Sequence, residues 1–164
     1  MPNDVKYDGV TDFEVESALS DHVRELDTET YLIFKSHDIL YGVDANYVSE
    51  IITNISVTHL PMVPPYIKGI INLRGQIVTI IDFRMLFGQE PSEKYSTIVL
   101  DIEGTPLGIM VDTVEQMIDI EKSLILPVPS QQPNAIKADY MCTLPNGNGT
   151  MLVVDCLRLL QDTV

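Results

Sequence analysis

From Glu29 onward the apolar positions fall in short β-rich runs separated by turn residues, not in long stripes of helical period. The runs predict strands over 30–35, 39–43, 55–60, 68–73, 76–81, 97–102, 106–111, 140–144 and 150–154. Turns are supplied by Ser36-His37-Asp38, by Glu103-Gly104 and by Asn146-Gly147-Asn148-Gly149. Helices are minor, with candidates over 45–53 and after Asp82 and Asp155, two acids suited to capping a short helix. The sharpest pattern is at residues 66–88, where two Ile- and Val-rich runs fold around the polar tip Asn72-Leu73-Arg74-Gly75. Gly75 can take the positive φ that a tight connection needs, so Arg74 should project from a rigid hairpin end. Along the second run, Ile77 and Ile81 point to one face and Val78 and Ile80 to the other, so both faces need cover.

The pattern also repeats. Ile80-Ile-Asp82-Phe is echoed by Val153-Val-Asp155-Cys, and Gly42-Val-Asp44 by Met110-Val-Asp112. Leu60-Pro61 and Leu126-Pro127 follow in the same order. These echoes imply duplication of a unit of about seventy residues, a size that seldom stands alone. Many short strands with sharp turns imply a sandwich or small barrels.

Composition and charge narrow the function classes. The chain has 164 residues, 45% hydrophobic and 21% charged, enough for one domain or two small, closely packed ones. A formal net charge of -14 with only ten Lys and Arg argues against nucleic acid and against anionic membrane surfaces. No apolar run reaches the length of a membrane span, and the first residues lack the layout of a secretory signal, so a cytoplasmic location is expected. Residues 1–27 form a peripheral acidic extension. Thr11-x-x-Glu14 resembles a capping box, and Val15, Leu19, Val23 and Leu26 fall at helical spacing, so residues 12–26 read either as an amphipathic helix or as a partly disordered acidic tail.

The chemistry inventory points away from catalysis. His22, His37 and His59 are dispersed, and Cys142 and Cys156 form no Cys-x-x-Cys pair, reading instead as buried reduced thiols. There is no phosphate-binding loop, dinucleotide fingerprint or Gly-x-Ser-x-Gly elbow. No catalytic residue, metal or cofactor is therefore expected, and a binding module is favoured over a hydrolase with dispersed acids or a small-ligand barrel.

In order and spacing, Gly42-Val-Asp, Val48-Ser-Glu-Ile, Tyr66-Ile-Lys-Gly, Asn72-Leu-Arg-Gly and Ile81-Asp-Phe-Arg resemble the CheW family of bacterial chemotaxis coupling proteins, over about residues 29–162. The resemblance implies a mostly β fold of two packed five-stranded SH3-like β-barrels with short helices. One CheW-like domain would span 28–164, with barrel 1 at about 28–70 plus 139–164 and barrel 2 at about 71–138. It also implies a non-enzymatic adaptor joining the cytoplasmic tip of a methyl-accepting chemoreceptor to the regulatory domain of a histidine kinase. A non-flagellar pathway of the same kind is the alternative within signalling. The receptor-coupling Arg of the family falls on Arg74, and its interaction-linked Val and Glu fall on Val48 and Glu50, with Leu73, Ile51 and Lys68 as neighbours. For Val48 and Ile51 the competing reading is packing inside the fold. Thr79 stands where the family often carries Pro, and Phe87-Gly88 and the loop at 127–133 depart from its pattern.

Overall fold

A computed structural model describes residues 27–129 and 138–163. The expected helix over 12–26 lies outside these residues, as do positions 130–133 of the expected loop at 127–133. Among the described residues, eleven strands appear in the order β1 (Thr28–Ser36), β2 (Ile39–Asp44), β3 (Val48–Ile52), β4 (Ile67–Leu73), β5 (Gln76–Asp82), β6 (Ser96–Ile102), β7 (Thr105–Val111), β8 (Thr113–Glu121), β9 (Leu126–Pro127), β10 (Tyr140–Thr143) and β11 (Thr150–Val153). Two short helices follow the predicted caps, α1 (Phe83–Leu86) after β5 and α2 (Cys156–Thr163) after β11. The Asp82 carboxylate accepts from the Arg84 amide at 3.0 Å and the Asp155 carboxylate from the Arg158 amide at 3.2 Å. Both caps act as the sequence predicts.

The strands form two sheets. The first runs β8-β1-β2-β11-β10-β9 and the second β3-β6-β7-β5-β4. In both, an antiparallel hairpin (β1–β2, β6–β7) lies beside a parallel neighbour (β11 on β2, β5 on β7) and carries a bulged edge strand (β8, β3). The duplication is therefore real, but a repeat is not a barrel. The first repeat gives β1 and β2 to one sheet and β3, β4 and β5 to the other, and the second repeat does the reverse. This divides the chain at points other than the expected boundaries. β3 and the start of β4, expected with barrel 1, are hydrogen-bonded in the second sheet, whereas β8 and β9, expected with barrel 2, belong to the first. The crossing is made at Asp44, whose carboxylate caps the 3-10 turn Ala45–Tyr47 and redirects the chain.

Three other expectations are corrected. The helix over 45–53 is that single turn followed by β3, because Val48, Ile51 and Ile52 favour an extended backbone and β6 offers an edge to pair with. Residues 55–60 form no ladder and touch β4 only through a bridge between Thr58 and Ile70. The nine-residue β8 went unpredicted, since Gln116 interrupts its inward positions and a bulge at Glu115 breaks its period. Pairing also shifts the repeat register. Val153 faces Gly42 and Ile80 faces Gly108, so the counterpart of Gly42 is Gly108, two positions before the Met110 expected from sequence. Both glycines make room for a core side chain. A Cβ on Gly42 would lie 2.2 Å from Met151 Sδ, and one on Gly108 would lie 2.4 Å from Ile80 Cδ1.

Each sheet curls around its own apolar cluster. Tyr31, Ile33, Ile120, Cys142, Leu144 and Met151 fill the first, and Ile71, Val78, Ile80, Val99 and Met110 the second. A third cluster joins the sheets back to back, with Leu32, Phe34, Tyr41 and Val43 meeting Ile81, Phe83, Ile98 and Leu100. At its centre the Phe34 and Phe83 rings meet edge to face at 5.1 Å. The expectation that both faces of 76–81 are covered holds for Val78, Ile80 and Ile81, but Ile77 is 55% exposed. Both cysteines are buried and free.

Candidate functional site

The β4–β5 hairpin closes with Leu73 opposite Gln76, leaving Arg74 and Gly75 as a two-residue loop. Their φ values of 52° and 84° are both left-handed, as a type I′ turn requires. Arginine is an uncommon choice there, since a non-glycine residue pays about 1 kcal/mol for that conformation. The turn is held by the Gly75 amide, which donates to the Asn72 side-chain oxygen at 2.9 Å.

Arg74 is 72% exposed, and its guanidinium donates to the Glu50 carboxylate, which is only 23% exposed. β3 and β4 are the two edges of the second sheet, so this pair ties the hairpin tip to the opposite edge across the barrel mouth. Farther down, Thr58 exchanges two backbone hydrogen bonds with Ile70, at 2.8 and 2.9 Å, and closes the same gap. A shallow groove at the mouth is lined by Ser49, Leu73, Arg74, Val99, Leu100 and Asp101.

The expected site residues divide into two groups. Arg74, Glu50 and Leu73 meet at the mouth, Leu73 half-buried against the inner cluster. Ile51 lies next to Glu50 and is 43% exposed on the outer face. Val48 instead packs against the core shared by the sheets, so the packing reading holds for it. Lys68 lies at the far end of β4, about 20 Å from Arg74 along an extended strand. Its carbonyl accepts from His59 Nδ1 at 3.0 Å, and its side chain is not part of the Arg74 cluster.

The first sheet carries a twin of this edge. β8 has the same bulge as β3, with Val114 against the shared core in the place of Val48 and Met117 exposed in the place of Ile51. Gln116 occupies the position of Glu50. The connection between β10 and β11 is a 3-10 turn at Pro145–Gly147 and presents no arginine. The ionic pair therefore belongs to one mouth only.

Sequence reasoning did not single out Arg84, although it ends the quoted string Ile81-Asp-Phe-Arg. Its side chain is 1% exposed and forks onto fully buried Asp82, donating from Nε at 2.9 Å and from a terminal nitrogen at 3.0 Å. Its other terminal nitrogen donates to Asp112 at 2.9 Å and to the carbonyls of Ser92 and Lys94, each at 3.1 Å. Burial opposes the charge on Asp112, but the His37 amide and the Arg84 guanidinium outweigh it and hold the carboxyl below its ordinary range. Burial likewise lowers the affinity of Arg84 for its proton, and Asp82 and Asp112 reverse that effect. Burial pushes the Cys156 thiol up to about 12, which removes it as a nucleophile at neutral pH.

The comparisons agree with this architecture. The CheW-like domain family matches residues 30–164. A Chemotaxis protein CheW from Klebsiella aerogenes is 34% identical over 137 residues, covering 81% of this chain and 82% of that protein. One from Treponema pallidum is 29% identical over 136 residues, covering 78% and 79%. The crystal structure of the scaffolding protein TtCheW from Thermoanaerobacter tengcongensis superposes with a TM-score of 0.69 at 29% identity, covering 77% of this chain and 88% of that one. The chain belongs to the CheW family of chemotaxis adaptor proteins.

Proposed function

We propose that this protein couples membrane chemoreceptors to a histidine kinase without performing chemistry itself, working in the cytoplasm at receptor arrays. Arg74 engages the receptor tip, with Glu50, Leu73 and Ile51 as its surroundings, and a separate surface engages the regulatory domain of the kinase. Val48 supports this surface from beneath, and Lys68 contributes at most through the far end of β4. The observation that carries the reading is Arg74 itself, an exposed arginine set in a left-handed turn and held across the barrel mouth by Glu50. A guanidinium offers a planar fork of donors to carboxylates or to the carbonyls at a helix end. Glu50 keeps that fork oriented in the free protein, and a partner oxygen can exchange for it. The signal is a coupling of free energies, because receptor state alters which arrangement of adaptor and kinase binds best.

The test is binding of a receptor-tip fragment and of the kinase regulatory domain to wild type and to Arg74→Ala. The variant should keep the circular-dichroism spectrum and the melting temperature, lose receptor affinity and retain the kinase domain. Unaltered receptor binding in a folded Arg74→Ala protein refutes the assignment.

A further inference from the structure

The two sheets are joined by an apolar cluster, and apolar contact is non-directional. It favours packing the sheets together but discriminates weakly among the angles at which they could pack. Among the described residues, and apart from a hydrogen bond donated by the Tyr66 hydroxyl to the Asp162 carbonyl at 3.3 Å, the directional contacts between them gather around Arg84. On the side of the second sheet, Arg84 grips Asp82 at the end of β5 with both arms of the fork. It also holds the segment between α1 and β6 through the Ser92 and Lys94 carbonyls. Toward the first sheet it holds Asp112, which stands where the chain crosses from β7 to β8. Asp112 accepts from the His37 amide in the β1–β2 turn at 2.7 Å, and its own amide donates to the Lys35 carbonyl at 3.0 Å. The held segment reaches the first sheet as well, because Gln89 accepts from the Ser36 hydroxyl at 2.6 Å.

We propose that Arg84 is a positioning residue, the joint that sets the angle between the two sheets and so the relative placement of surfaces on each. A buried guanidinium with an acceptor at every nitrogen tolerates few arrangements, since a small rotation leaves a charged donor unpaired in low dielectric. The functional consequence rests on the adaptor reading above. An adaptor that transmits state between two partners needs a stiff body, and here the stiffness is supplied by a polar joint off the partner surfaces.

The joint can be tested without any partner. Spin labels at Met117→Cys in the first sheet and Ile77→Cys in the second report the distance between sheets, and labels at Met117→Cys and Thr143→Cys report a control distance within the first. The native thiols are buried and do not compete for label. Asp112→Asn keeps an acceptor for His37 but removes the charge facing Arg84, while Arg84→Lys keeps a cation near Asp82 and loses the fork. In each variant the single narrow inter-sheet distance should be lost and the control distance should stay narrow. A folded variant that keeps the narrow inter-sheet distance overturns the proposal, as does equal broadening of both distances. With receptor tip and kinase domain added, Asp112→Asn should bind each alone as wild type does and lose the effect of one on the other. If wild type binds neither partner the adaptor reading fails, while the label distances still decide the joint.

Discussion

At the scale of single residues, two glycines of the string Ile67-Lys-Gly-Ile-Ile-Asn-Leu-Arg-Gly75 have different reasons to be there. Gly75 has a φ of 84° and open space around its missing Cβ, whereas Gly69 has a φ of 142° and a Cβ on it would lie 2.0 Å from the Thr58 carbonyl oxygen. Gly75→Ala should therefore cost only the left-handed penalty of about 1 kcal/mol. Gly69→Ala must also break the bridge that closes the barrel, and should cost about 3 kcal/mol or more. Urea unfolding of the two variants checks the order. The need for Gly75 was legible from the turn, because its cause is local. The cause at Gly69 is the Thr58 carbonyl, in a segment outside the strands and eleven residues earlier, which nothing in the adjacent sequence announces. Arg84 is similar: its string was visible, but its partners Ser92, Lys94 and Asp112 come together only in the fold.

At the scale of elements, strands with strict alternation and turns with Gly or Asx residues were readable. β5, β6, β7 and β11 lie within a residue or so of their predicted limits. The failures share a physical origin. β3 and β8 are edge strands with a bulge, and a bulge adds a residue that breaks the period of two on which strand recognition depends. In β3 the resulting spacing of Val48, Ile51 and Ile52 imitates one turn of helix. The helix caps succeeded because they are local, a carboxylate meeting an amide two or three residues on. Asp155→Ala removes the cap from α2, which packs Cys156 and Leu159 into the shared core. It should lower stability by about 1 kcal/mol, with Asp155→Asn losing less. Thermal melts of the two variants distinguish the cap from a general loss of charge.

At the scale of the molecule, the exchange of strands between repeats makes the two sheets interdependent. Residues 27–94 supply two strands of one sheet and three of the other, so this half alone leaves apolar faces without partners. Expressed separately, it should lack a cooperative melt, whereas the full chain should unfold in a single transition by circular dichroism. The joint between sheets also links stability to pH. The Asp112 carboxyl is held below its ordinary value in the folded state, so it binds its proton less readily there than in the unfolded chain. Its stabilising contribution is complete above the unfolded value of about 3.9 and is lost as pH falls through the folded value. The melting-temperature gap between wild type and Asp112→Asn should therefore be widest near neutrality and shrink below about pH 4.

The sequence by itself determined the class of fold, the hairpin that presents Arg74, the two helix caps, the existence of a duplication and the resemblance to an adaptor family. All of these rest on short-range patterns: alternation along a strand, the backbone freedom of Gly75, an acid before a helical turn, and strings of residues in a set order. Only the tertiary structure decided that each sheet is built from both repeats, that Glu50 stands across the mouth from Arg74 while Lys68 stands far from it, and that Arg84 joins the sheets. Those features depend on which distant segments meet. That choice is made by burying both faces of the strands at once, a global condition that no local window of residues contains.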